Sequence, residues 1–148
     1  MWNSSRSLKL SRALTVLFLL LLVAGLVFSM PLLRWYVAFT GKPTILITQL
    51  MTMLFSCAVP AFYALFCLHR LLRNIAQEIV FDEGNVALLR RLSWCCMAVA
   101  LILLAMGYRY VLLFLLAVLA AFMGLILRVV KNVFVQAIEL KLENDLTV

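Results

Sequence analysis

Between Arg12 and Arg34 lie 21 residues, Ala13 to Leu33, without one charged side chain. As an α-helix that run is about 31 Å long, enough to cross the hydrocarbon core of a bilayer. The rest of the chain repeats the feature. Thr44 to Leu68 is a second charge-free run, interrupted only by Pro60, which a membrane helix tolerates when neighbours satisfy the freed carbonyl. Leu92 to Leu127 would be about 54 Å long as one helix, too long for a single crossing. Gly107, Tyr108, Arg109 and Tyr110 divide it into a third run, Leu92 to Gly107, and a fourth, Tyr110 to Leu127. The third is short for a crossing unless it borrows a turn from the residues before it. With 67% hydrophobic and 13% charged residues, the 148-residue chain departs from soluble domains, which are about a quarter charged.

The expected fold is therefore all-α and integral to a membrane. One domain, 1–148, has four transmembrane helices at 13–33, 44–68, 92–107 and 110–127, a connector at 69–91 and a tail at 128–148. Helices 2, 3 and 4 are expected to continue outside the membrane. His69 to Val80 alternates Arg70, Arg73, Asn74, Gln77 and Glu78 with Leu71, Leu72, Ile75, Ile79 and Val80, which suits an amphipathic extension of the second helix. Asp82 to Asn85 reads as a turn, with Gly84 free to take positive φ and Asp82 or Asn85 able to cap the next helix. Arg34 to Pro43 reads as a loop, with Trp35 and Tyr36 at the interface and Gly41 and Pro43 as breakers. A basic head before an apolar run is also the mark of a cleaved signal peptide. The first run exceeds a signal core of about 7–15 residues and no small-x-small site follows it, so it reads as an uncleaved anchor.

Orientation follows from counting cations. Arg6, Lys9, Arg12, Arg70, Arg73, Arg90, Arg91, Arg128, Lys131 and Lys141 fall on one side, and Arg34, Lys42 and Arg109 on the other. The positive-inside rule then places both termini and the connector in the cytoplasm. The net charge of +7 is dispersed at the ends of apolar runs, so it marks topology and lipid-headgroup contact rather than a nucleic-acid surface.

The runs contain no Asp, Glu, Lys or Arg, whereas ion-coupled transport usually places an ionisable group near the bilayer midplane. Thr48, Gln49, Thr52 and Ser56 offer a polar seam, for which interhelical hydrogen bonding is the plainer use. Cys67, His69, Cys95 and Cys96 could meet in an antiparallel hairpin and would suit Zn²⁺ or Cu(I). Their spacings turn both pairs to different helix directions, so no metal site is expected. The four cysteines read as small buried hydrophobes. The single histidine, the lack of a serine elbow and the isolated glycines argue against an enzyme and against a cofactor. Gly25, Gly107 and Gly124 are expected at close helix contacts or a turn. Val86, Leu89 and Leu92 share one helical face beside Arg90 and Arg91 at the membrane boundary. Beyond the last run, Val130, Val133, Phe134, Ala137 and Ile138 keep an apolar stripe. Leu142, Leu146 and Val148 must pack on the connector, lie on lipid, or meet a partner.

Two stretches carry a resemblance. Phe81, Asn85, Val86, Leu89, Arg90, Arg91 and Trp94 in the connector, with Val133, Phe134, Ala137, Leu140, Lys141, Glu143, Asn144, Asp145, Leu146, Thr147 and Val148 in the tail, resemble a family of small bacterial four-span membrane proteins known only as a domain of unknown function. Gly84 and the Cys95–Cys96 pair depart from its pattern. The resemblance implies four helices in the bacterial inner membrane and a cytoplasmic tail. It also implies a frequent gene neighbour, a small helix-turn-helix regulator, and hence a membrane protein that holds such a regulator. On that reading the partner-binding residues are Phe81, Asn85, Leu89, Arg90, Arg91, Trp94, Phe134, Lys141, Glu143, Asn144, Asp145 and Leu146. The alternative is a small transporter or export or immunity component acting through the helices.

Overall fold

The computed structural model describes residues 4–41, 43–77, 79–80, 82–107 and 111–146, with the side chains of 4–6, 106–107 and 145 excepted. Four helices account for nearly all of them: α1 (Ser4–Thr40), α2 (Ile45–Ala76), α3 (Glu83–Gly107) and α4 (Val111–Leu146). Each is long and apolar enough to cross a membrane. No strand occurs among the described residues.

The helices outrun the charge-free runs that seed them. Residues 34–40, expected in a loop, form the last two turns of α1. Interfacial residues such as Arg34 and Trp35 mark where the bilayer ends but do not break the backbone's hydrogen bonds, and Trp35 stacks on Phe39 one turn later at 5.7 Å. The helix stops at Gly41, whose φ of +63° an L side chain would resist and whose N–H donates to the Val37 carbonyl at 3.0 Å. α2 passes unbroken through Pro60 and ends at Ala76, short of the expected Val80. α3 takes residues 83–91 from the connector, and its 25 residues reach about 37 Å. The turn around Arg109 lies outside the described residues.

The chain folds as a row rather than a closed bundle. α1 packs on α2, α2 on α3 and α3 on α4, and among the described residues no other pair of helix backbones comes as close, although side chains of α4 reach the core that α2 and α3 share. α3 is the middle of the packed part, since 39% of its apolar window is buried against 6% for α1 and 11% for α2 and α4. Large apolar side chains such as Phe18, Phe28, Val59, Phe66, Leu112 and Leu119 face outward. In water that surface would be untenable; against acyl chains it is the expected exterior.

The best-buried core is at one end of the row. Cys67 and Leu71 of α2 meet Leu88, Leu89 and Leu92 of α3, with Leu127 and Phe134 of α4 packed against them. Leu89 and Leu92 are the face expected from their spacing. The cluster lies where the second and third runs meet their charged extensions.

Candidate functional site

The end of the row that carries this core also carries most of the polar chemistry, and it is built in three tiers. The first is the connector. The last turn of α2 closes with the N–H of Gln77 and of Ile79 donating to the Asn74 carbonyl, both at 3.1 Å. Asp82 then caps α3, its Oδ2 accepting from the Gly84 N–H at 2.9 Å. A Cβ at Gly84 would stand 2.7 Å from that oxygen, so glycine serves here by its small size. Gly84 does not supply the positive φ expected of it, and Asn85 is not a cap.

Asn85 does something else. It is fully buried, its Nδ2 donates to the carbonyls of Ile79 at 2.7 Å and Val80 at 2.9 Å, and its Oδ1 accepts from Asn74 Nδ2 at 2.8 Å. One side chain thus satisfies two loop carbonyls that the end of α2 leaves without helical donors and ties α2 to α3.

The second tier joins α3 to α4. Ser93 is buried and its hydroxyl donates to the Gly124 carbonyl at 2.7 Å. At Gly124 an added Cβ would meet Met97 at 3.2 Å and the Cys96 Cβ at 3.3 Å, so this glycine does permit close approach. Gly25 has nothing within 4 Å and does not, which corrects the expectation for it. The Arg128 guanidinium lies over the Trp94 ring, 5.5 Å from its centroid.

The third tier is the end of α4. Trp94 opposite Arg128 and Ser93 opposite Gly124 set an antiparallel register in which Glu83, the first residue of α3, stands level with a point between Phe134 and Glu139. Up to that level α4 has a neighbour, and Phe134, Ala137 and Ile138 are half-buried. Beyond it, Leu140, Leu142 and Leu146 are 66%, 58% and 87% exposed.

The residues singled out in the sequence therefore divide. Asn85 and Leu89 are buried and hold the fold together, and Phe134 packs beside Leu89's cluster. Arg90, Arg91 and Trp94 are exposed on α3, and Lys141, Glu143, Asn144 and Leu146 on the end of α4. Phe81, the Asp145 side chain, Thr147 and Val148 lie outside the described residues. Connector and tail meet through Phe134, and in the last turns of α4 Leu140, Leu142 and Leu146 are largely exposed.

The remaining candidates disperse. Cys67 and Cys95 are both buried, whereas His69 lies along an outer groove of α2 with Phe66, Arg70 and Arg73. Among the described residues no three of His, Cys, Asp and Glu stand together as a metal would require. Thr48, Gln49 and Thr52 are exposed on α2, and the Thr52 hydroxyl donates back to the Thr48 carbonyl of its own helix. These three do not line a seam between helices, and Ser56, the fourth residue of the expected seam, is half-buried. Asn74, Ser93 and the Arg128–Trp94 pair went unread in the sequence as structural links. A lone serine or asparagine in an apolar run is a signal only once its partner is known.

The family described as "Protein of unknown function (DUF2975)" matches residues 33–148. The chain belongs to that family. No curated protein and no solved structure matches it. The match covers the connector and the tail of this DUF2975 member and begins near the end of α1, so the three helices that share the buried core are also the family's part of the chain.

Proposed function

We propose that this multi-pass membrane protein holds a cytoplasmic partner at the bacterial inner membrane, docking it on the exposed apolar side chains at the end of α4 and the neighbouring face of α3. The observation that carries the reading is the overhang. α4 is about 54 Å long, far more than a bilayer core needs, and its last turns leave Leu140, Leu142 and Leu146 largely exposed. Apolar side chains kept there without cover are what a helix-binding or groove-binding partner uses. Lys141, Glu143 and Asn144 between them supply polar contacts for register. The partner class is a small helix-turn-helix regulator, on the strength of the family resemblance. Both termini lie in the cytoplasm on this reading, supported by the ten cations against three. It is a non-catalytic role, supported by the single histidine and the lack of a paired nucleophile and base.

The test is in-cell crosslinking with affinity purification, comparing the intact chain with one lacking residues 142–148. A DNA-binding protein recovered with the intact chain alone is the expected result. Equal recovery from both chains would overturn it. The transporter reading has thinner support, because the polar residues of α2 face outward; it would gain if changes at Gln49 or Thr52 abolished a phenotype that the truncation spared.

A further inference from the structure

Beside the exposed end of α4 lies a second polar feature, which shares Arg90 and Trp94 with the proposed docking face of α3 but does not rest on that reading. Arg90, Ser93 and Trp94 of α3 and Arg128 and Lys131 of α4 line a cleft of about 180 Å³. Three cations and no carboxylate line it, so the like charges face one another with no acid among them. Such an arrangement is costly when empty of anions and favourable when an anion sits within it. The cleft is also built. The Ser93–Gly124 hydrogen bond fixes the approach of the two helices at its floor, and the Trp94 ring holds the Arg128 guanidinium in place. A guanidinium held in this way presents its paired N–H groups to oxyanions, and a second arginine and a lysine add point charge.

We propose that this cleft binds the phosphate of an anionic phospholipid. A phosphate is the chemistry that two arginines and a lysine recognise, and the surroundings choose a lipid over a free ion. The cleft opens where the charge-free part of α4 ends, since Arg128 is the first charge after Tyr110. From it an exposed apolar stripe runs along α3 at helical spacing, through Trp94, Leu101 and Leu104, with Leu125 exposed on α4 beside it. A cationic head site continuous with an apolar track matches a headgroup with acyl chains, and basic pockets between transmembrane helices are established sites of this kind.

The test is native mass spectrometry of the full chain released from zwitterionic detergent, with phosphatidylglycerol, phosphatidylcholine or inorganic phosphate added. Four chains are compared: the wild type, R90Q, R128Q/K131Q, and K9Q/R12Q, which removes as much charge as R128Q/K131Q from exposed positions on α1. The wild type should retain phosphatidylglycerol over phosphatidylcholine by about tenfold. R128Q/K131Q should lose most of that preference and K9Q/R12Q should keep it. Equal loss in both variants would reduce the effect to net charge and overturn the site. Binding of inorganic phosphate with no preference between the lipids would overturn the lipid assignment. The unfolding midpoint without lipid checks that R128Q/K131Q is folded, and R90Q, on the opposite wall, must lose preference in the same direction.

Discussion

Asn85 shows how much of this fold hangs on single polar side chains. Its amide serves the Ile79 and Val80 carbonyls and receives the Asn74 amide, all with the residue fully buried. Asn85→Leu keeps the volume and strands three polar groups, each of which costs about 1–3 kcal/mol when left unsatisfied in the interior. Because Asn74 and the loop can reach water on opening slightly, the expected loss is about 2–4 kcal/mol. Denaturant unfolding in detergent micelles, followed by helical circular dichroism, measures it. A loss within about 0.5 kcal/mol, the size of an ordinary surface change, would mean that the carbonyls find other donors. The sequence offered Asn85 as a cap candidate or a partner contact, because asparagine beside Asp82 and Gly84 has the chemistry of a turn. Which role it takes depends on Asn74 and on carbonyls that only the closed hairpin brings to it.

At the scale of the helices, hydropathy was a sound guide to existence and a poor one to ends. The interior of each crossing is decided residue by residue by transfer from water to hydrocarbon, so the runs were legible. Where a helix stops is decided by backbone satisfaction instead: Gly41 ends α1, and the Gln77 and Ile79 N–H groups donating to the Asn74 carbonyl close the end of α2. The two halves of α4 differ accordingly. Leu89, 3% exposed in the cluster that α4 joins through Phe134, should cost about 2–4 kcal/mol when changed to alanine. Removing residues 142–148 should change the unfolding free energy by no more than about 0.5 kcal/mol, because Leu142 and Leu146 are 58% and 87% exposed. Both are read in the same micelle assay, and a truncation as costly as L89A would show that the end of α4 belongs to the fold.

On the scale of the whole molecule, the row leaves α1 attached through α2 alone and its outward faces given to lipid. Paired-cysteine crosslinking, in a chain whose four native cysteines are replaced, should join α1 to α2, α2 to α3 and α3 to α4 within one molecule. Crosslinks from α1 to α4 should form only between molecules, and an intramolecular one would require a closed bundle. By itself the sequence determined that this is a membrane protein of four helices, because burial in hydrocarbon is nearly additive along the chain and each run carries its own signature. The tertiary structure alone decided the order of neighbours, the Ser93–Gly124 and Arg128–Trp94 joints, the three-cation cleft and the overhang of α4. Each of these depends on residues some thirty positions apart coming level, and a register between helices is set by how their surfaces fit, which no local pattern records.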